Sequence, residues 1–134
     1  MRVFLDTNVI VSAVATRGLC ADVLREVLVR HQLVISETLL VEVKRVLRDK
    51  ICVPAAIIKD LVAFLRKDSL MAKALSSAGP PGPNSVDKEL ISAAVSAQAD
   101  LFVTGDRKLL DRTPGGSLEI VSPRMFWERL KRKR

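Results

Sequence analysis

Short apolar runs alternate along this sequence with longer segments of helical periodicity. The β-branched and apolar runs cover residues 2–5, 32–35, 70–75, 101–104 and 119–121. Neighbouring parallel strands need a long crossover, usually a helix, whereas antiparallel hairpins need only a short turn. The alternation therefore predicts an α/β fold: a three-layer α/β/α domain with a doubly wound, Rossmann-like parallel sheet of about five strands.

The segments between these runs have apolar residues at helical spacing. The predicted helices cover residues 21–30, 36–48, 54–67, 87–98 and 107–110, and a last one begins at Ser122-Pro123. Ser36 is placed to cap its helix and Pro54 to open the next. Residues 76–85 (SSAGPPGPNS) cannot sustain a helix or a central strand, and we expect them to form a loop inside the domain.

The length of 134 residues matches one domain, so we expect a single unit over residues 1–134, with residues 129–134 as a basic C-terminal tail. Cys20 and Cys52 are isolated in apolar sequence, without the spacing of a zinc or redox motif. We expect them to be buried, reduced thiols. No apolar run reaches membrane-spanning length and no signal-peptide pattern is present, so we expect a cytoplasmic protein without membrane contact.

The charge balance limits the chemistry. The chain has 22 Lys+Arg against 15 Asp+Glu, and one His. A nuclease that works with two histidines is therefore excluded, and His31 is predicted to end a helix. Most of the surplus charge lies in the last six residues, where five cations could contact phosphates or simply form a solvated helix end. These are Arg129, Lys131, Arg132, Lys133 and Arg134.

Two acidic residues directly follow predicted strands. Asp6 comes after residues 2–5, and Asp106 lies two residues past residues 101–104. In open α/β sheets, ligands bind beyond the carboxyl ends of the strands. The alternatives are ordinary: Asp6 could form a turn, and Asp106 could cap the short helix that follows it.

Two further acids lie on inward helix positions. Glu42 is spaced with Leu39 and Val46 at the edge of a buried stripe, so it needs an Arg, a Lys or a metal as partner, unless it extends to solvent. Asp87 faces the sheet at a helix start. As alternatives, it could be the N-cap itself or the third residue of a helix capped by Asn84.

The four carboxylates could meet at one edge of the sheet. Carboxylates that share a small volume repel one another unless protons or cations offset the charge, and hard divalent cations prefer oxygen ligands. Mg²⁺ or Mn²⁺ is therefore the expected ion. The sequence does not indicate a zinc site, because it has no second His and no paired Cys.

With these residues in view, the sequence resembles the PIN domains, and among them the VapC-like toxin components of toxin–antitoxin pairs. The resemblance covers nearly the whole chain. It is carried by residues 6–13 (DTNVIVSA), 36–43 (SETLLVEV), 87–91 (DKELI), 99–110 (ADLFVTGDRKLL) and 120–126 (IVSPRMF).

The resemblance implies a catalytic, metal-binding site at Asp6, Glu42, Asp87 and Asp106, supported by Asn8 and Thr104. One feature departs from the family's pattern. Close relatives often have an acidic run before the third acid, whereas residues 83–86 here are PNSV. This departure bears on a second metal position more than on the first.

The function that the resemblance implies is a Mg²⁺- or Mn²⁺-dependent endoribonuclease, with RNA as substrate, a cognate antitoxin as partner and a homodimer as assembly. Water as nucleophile would leave 5′-phosphate and 3′-hydroxyl ends. The alternative is a non-catalytic PIN-like module that binds RNA or protein. A glycine-rich nucleotide-binding loop is absent from the sequence, as is the second Asp of a DxDxT phosphatase, where Asn8 stands.

Overall fold

The computed structural model of the protein describes residues 1–73, 85–111 and 117–132. The strands are β1 (Arg2–Leu5), β2 (Gln32–Ile35), β3 (Leu70–Met71), β4 (Leu101–Val103) and β5 (Glu119–Val121). The helices are α1 (Thr7–Ala15), α2 (Leu19–Arg30), α3 (Glu37–Asp49), α4 (Ala55–Asp68), α5 (Ser85–Ser96), α6 (Arg107–Leu110) and α7 (Pro123–Arg132).

The five strands form one parallel sheet in the order β3-β2-β1-β4-β5. Helices cover the sheet in a three-layer α/β/α arrangement, which confirms the fold expected from the alternating pattern. The chain builds outward from β1 through β2 to β3 and then returns to pair β4 with the other side of β1. Strand order therefore reverses between β1 and β4, and this reversal creates the crevice in which doubly wound proteins bind ligands.

Two phenylalanines join the central strands. Phe4 of β1 and Phe102 of β4 are register partners, and both are fully buried. Their rings stack with centroids 5.3 Å apart and planes 8° from parallel. An aromatic pair of this kind adds to the apolar burial that holds the middle of the sheet together.

The local signals for helix ends are confirmed. The Ser36 hydroxyl accepts a hydrogen bond from the Leu39 N–H at 3.2 Å, as the cap of α3. His31 is the C-cap of α2, and its own N–H donates to Val27 O. Ser122 likewise accepts from the Met125 N–H in the first turn of α7.

Some boundaries differ from the sequence prediction. Residues 7–15 form a helix that the periodicity did not reveal, because TNVIVSAVA is apolar nearly throughout and rich in β-branched residues. β3 has only Leu70 and Met71, shorter than the expected residues 70–75, of which 74–75 lie outside the described residues. Residues 76–84 of the expected loop lie outside them too.

One other expectation is corrected. Cys52 is exposed and Cys20 is half-buried, so neither is the buried thiol that the apolar surroundings suggested. Residues 129–132 of the expected basic tail form the last turn of α7, where Leu130 packs against the core, and residues 133–134 lie outside the described residues. No single described helix is long and apolar enough to cross a membrane. α1 and α2 meet those limits only when taken together, with a 105° bend between them.

We expect Phe102→Ala to lower the free energy of unfolding by about 3–5 kcal/mol, because it removes a fully buried ring and leaves a cavity between β1 and β4. Urea denaturation measures this. The matched control is Phe64→Ala on α4, where the ring is 46% exposed. Equal losses in the two variants would contradict the stacked pair as the centre of the core.

Candidate metal centre

The site is built where β1 and β4 end. Asp6 follows β1, and its N–H donates to the carbonyl of Val103, the last residue of β4, at 2.9 Å. This bond extends the parallel pairing by one step and fixes the backbone of Asp6 at the sheet edge. Asp6 is only 5% exposed and the adjoining Thr104 is fully buried.

Both carboxylate oxygens of Asp6 accept hydrogen bonds from the chain. Oδ1 accepts from the Thr7 N–H at 2.7 Å, and Oδ2 accepts from the Thr104 hydroxyl at 2.7 Å. The Thr104 hydroxyl oxygen in turn accepts from the Asp106 N–H at 3.1 Å. Thr104 therefore links the loop after β4 to the acid after β1 and limits the rotation of the Asp6 carboxylate.

Burial raises the pKa of Asp6 above its ordinary value of 3.8. The hydrogen bonds from Thr104 and Thr7 oppose that rise, while the negative charges of Asp87 and Asp106 add to it. The ionised form of Asp6 is thus disfavoured both by loss of water and by two like charges. A cation placed among these acids would relieve both costs.

Asp87 and Asp106 come to the site from two different helices. Asp87 is the third residue of α5 and is half-buried, so it is not the N-cap itself. Asn84, the cap in the other alternative, lies outside the described residues. Asp106 is the N-cap of α6, where its Oδ1 accepts from the Lys108 N–H at 2.9 Å. Asp106 therefore caps α6 through Oδ1, and this cap does not use its other carboxylate oxygen.

Glu42 has a partner on its own helix. Its carboxylate pairs with the guanidinium of Arg45 through hydrogen bonds of 3.4 and 3.0 Å, and its side chain is 22% exposed. Of the partners expected for this residue, the structure therefore provides an arginine. The charges that raise the pKa of Asp6 are those of Asp87 and Asp106. The structure brings these three acids into one electrostatic neighbourhood and holds Glu42 in an ion pair on α3.

Some of the expected supporting and basic residues lie at the site, and others lie away from it. Thr104 contacts the site directly, whereas Asn8 is exposed in the first turn of α1. Arg129 forms a bidentate ion pair with Glu119, the first residue of β5. The end of α7 is thereby placed at the edge where the strands begin, opposite the acids. Lys131 and Arg132 are exposed there, and Lys133 and Arg134 lie outside the described residues.

The ligand chemistry fits a hard divalent cation, although the acids are not drawn into a closed cluster. In the described part of the chain, no three His, Cys, Asp or Glu side chains are grouped so that they could hold a metal ion. The fit rests instead on Asp6, a buried carboxylate whose charge is disfavoured and whose pKa the charges of Asp87 and Asp106 raise further. Oxygen donors of this kind suit Mg²⁺ or Mn²⁺.

Sequence reasoning missed two polar residues near the site. The Thr7 hydroxyl is buried without a hydrogen-bond partner among the described residues, directly after Asp6. The Thr38 hydroxyl donates to Glu89 Oε2 at 2.9 Å and so ties α3, which has Glu42, to α5, which has Asp87. Thr7 could have been noticed as a hydroxyl in an apolar helix start, whereas the Thr38–Glu89 pair is separated by too much sequence to be read locally.

Comparisons with known proteins agree with the fold. The sequence profile described as PIN domain matches residues 2–108. The crystal structure of VapBC2 from Rickettsia felis bound to a DNA fragment from their promoter is similar at a TM-score of 0.61 and 18% identity. The match covers 91% of this chain and 98% of that one. No curated protein sequence matches the chain.

We expect the stability of Asp6→Asn relative to that of the wild type to rise by on the order of 1 kcal/mol between pH 4 and pH 7 in the metal-free protein. The amide removes a buried charge, and the hydrogen bond lost where its N–H₂ replaces an accepting oxygen costs the same at every pH. The sign follows from the raised pKa of Asp6. The wild type has its full stability below the unfolded pKa and loses part of it as pH rises through the folded pKa. The variant should therefore gain on the wild type as pH rises above about 4.

Urea unfolding in EDTA between pH 3.5 and pH 7.5 measures the difference. The exposed Asp60→Asn on α4 is the matched control, with little change expected. A loss of stability in Asp6→Asn that is equal at every pH would contradict a disfavoured buried charge.

Proposed function

The chain belongs to the PIN domain family, and we propose that it is a Mg²⁺- or Mn²⁺-dependent endoribonuclease that acts as the toxin of a toxin–antitoxin pair. One observation supports this above the others. Asp6 is a buried carboxylate at the end of β1, and its pKa is raised by burial and by its neighbours Asp87 and Asp106. A cation is the natural compensation for such an arrangement, since protonation would otherwise be favoured.

In this proposal Asp6, Asp87 and Asp106 hold the ion, and Glu42 is a further ligand or a base that orients water. A bound divalent cation supplies a water of lowered pKa and offsets charge on the phosphate. The chain's own contribution is positional. Thr104 fixes the Asp6 carboxylate, and the same hydroxyl accepts the Asp106 N–H, so two of the acids are oriented through one side chain.

Substrate phosphates need cations near the acids. Arg107 and Lys108 follow Asp106 in α6 and are exposed at the edge where the strands end. We assign them the contacts to the phosphates that flank the cleaved bond. The start of α6 therefore has one acid and two cations within one turn. In this proposal the acid holds the metal ion while the two cations contact the phosphates beside it.

The one histidine has no part in this chemistry. His31 ends α2 and directly precedes β2, so it lies at the opposite edge of the sheet from Asp6. A nuclease that activates the ribose 2′-hydroxyl with histidines has no support in this chain. Hydrolysis by water is the remaining route, and the 2′-hydroxyl is not consumed by it.

The partners remain part of the proposal. The structural match contains VapBC2, and we propose by analogy that this chain has a cognate antitoxin, forms a homodimer and acts in the cytoplasm. We also propose that residues 1–134 act as one domain, and that Asn8 supports the site and the cations at the end of α7 contact nucleic acid.

A second candidate is a non-catalytic PIN-like module that binds RNA or protein. Two observations favour it: the described acids do not form a group of three that could hold a metal ion, and Glu42 is already paired with Arg45. Cleavage assays separate the two candidates, because a binding module does not cleave RNA with or without a divalent cation.

We expect Mn²⁺-dependent cleavage of labelled single-stranded RNA, and a loss of about 100-fold or more in Asp6→Asn, because a central ligand is removed. Thr104→Val should cost about 10- to 100-fold, since it frees the Asp6 carboxylate. Asp60→Asn, an exposed change of the same type, should cleave as the wild type does. Cleavage that persists in EDTA, or equally in Asp6→Asn, would exclude the proposed mechanism.

The ends of the products provide a separate prediction. We expect 5′-phosphate and 3′-hydroxyl ends, because water and not the 2′-hydroxyl is the nucleophile. Mass spectrometry of a digested oligonucleotide distinguishes them from 2′,3′-cyclic phosphates. A substrate with 2′-O-methyl groups should still be cleaved, and cyclic phosphate ends would contradict the proposal.

A further inference from the structure

Two adjoining clefts share the start of β1 and the end of α5. One, of about 530 Å³, lies where β1 and β2 begin and is lined by residues that include Arg2, Arg30, Gln32 and Gln98. The other, of about 310 Å³, extends from Arg2 and the end of α5 along β3 to Lys73, two residues past the end of that strand. Both are lined by Arg2 and Gln98, so together they form one furrow. We call it the N-edge furrow, defined by Arg2, Arg30, Lys73, Gln32 and Gln98.

The N-edge furrow has more cations than acids. Arg2, Arg30 and Lys73 are exposed in it. Arg30 pairs with Glu26 at 3.4 Å and keeps 60% of its side chain exposed. Asp100 is the acid in the lining, and its carboxylate accepts the Arg2 N–H at 2.8 Å. An exposed cationic furrow with so little offsetting charge suits a polyanion.

The Arg2 side chain is fixed across the furrow. Its Nη1 donates to the Ala97 carbonyl at 2.8 Å, at the end of α5. This bond uses one of the five N–H groups of a guanidinium, and the others remain for a ligand. A cation held in place costs less conformational entropy on binding than a free one, so Arg2 is preorganised at the point where the two clefts meet.

Gln98 occupies a position where glycine is the ordinary choice. Its φ is +57°, and the Ala99 N–H bonds back to the Ala94 carbonyl at 2.9 Å, which is the geometry of a helix end with a left-handed residue. A non-glycine residue is strained there. At this strained position the Gln98 amide is exposed in both clefts, where it can donate a hydrogen bond to a base edge and accept one from it.

We propose that the N-edge furrow binds the backbone of a single-stranded polynucleotide, at a second site distinct from the acids. Phosphates lie against Arg2, Arg30 and Lys73, and the amides of Gln32 and Gln98 contact the bases. The exposed cations at the end of α7 lie at the same edge, since Arg129 pairs with the first residue of β5. This binding does not depend on the proposed nuclease function, because it requires no metal and no acid.

The place of the furrow gives it a distinct effect. The strands run between the two edges, so RNA held in the furrow is not the segment at Asp6. One molecule reaches both sites only by passing around the domain. Long single strands should therefore bind through the furrow, and fragments of a few nucleotides should lose that anchorage.

The test is binding of a fluorescein-labelled RNA 20-mer in EDTA, followed by fluorescence anisotropy at several salt concentrations. We expect Arg30→Gln with Lys73→Gln to weaken binding about tenfold and to reduce the salt slope by about 1.4, as for two lost contacts to a single strand. The control combines Arg25→Gln with Lys59→Gln, which removes the same charge from exposed cations elsewhere on α2 and α4. The control should stay within twofold of the wild type.

Two further variants test the furrow independently of the double variant. Gln98→Glu puts an acid into both clefts and should also weaken binding, even if the double variant is poorly folded. Asp60→Asn, an exposed change on α4, should bind as the wild type does. Equal losses in the furrow and control variants, or no loss in either, would overturn the proposal.

A competition arm distinguishes a strand from a single nucleotide. Uridine monophosphate at the same phosphate concentration should displace little of the labelled RNA, because one phosphate engages one cation. Full displacement would overturn the furrow as a strand-binding site. Failure to cleave RNA in the separate Mn²⁺ assay would count against the nuclease and leave these binding results unaffected.

Discussion

The hydrogen bond between the Thr104 hydroxyl and Asp6 connects the fold to its chemistry. It joins the residue after β4 to the residue after β1, at the point where strand order reverses. Burial makes the Asp6 charge unfavourable, and Asp87 and Asp106 make it more so, while Thr104 and the Thr7 N–H limit the cost. The core beneath this point, centred on the stacked Phe4 and Phe102, is what keeps the two strand ends together.

The two edges of the sheet have opposite characters. The edge where the strands end gathers carboxylates, with exposed Arg107 and Lys108 beside them. The edge where the strands begin has Arg2 and Arg30 in a polar furrow, which continues along β3 to Lys73. The net charge of +7 is therefore a sum over separated regions, and it does not describe the surroundings of the acids. A parallel sheet makes such a separation possible because all its strands point the same way.

Much of this arrangement could be predicted from residue patterns. The alternation of short apolar runs and helical segments predicted the parallel sheet, and Ser36 and His31 marked helix ends correctly. Asp6 and Asp106 were found because they follow strands, and α/β sheets bind ligands at that edge. The helix at residues 7–15 escaped prediction, because an evenly apolar, β-branched segment has no helical stripe.

Other features depend on contacts that local patterns do not specify. The exposure of Cys52 and the pairing of Arg129 with Glu119 follow from tertiary packing, and so does the tie between Thr38 and Glu89. Glu42 is an example. Its position at the edge of a buried stripe correctly predicted that its charge needs a partner, but the sequence did not identify that partner as Arg45, one turn along the same helix.

The central claim is that Asp6 is a carboxylate whose charge the fold disfavours until a cation is bound. A carbon-13 NMR titration of the aspartate carboxyl groups, without and with Mg²⁺, measures this at the residue itself. We predict that the pKa of Asp6 lies above 3.8 in the metal-free protein and that saturating Mg²⁺ moves its titration midpoint downward. A midpoint at or below 3.8 without the ion, unchanged when Mg²⁺ is added, would contradict it.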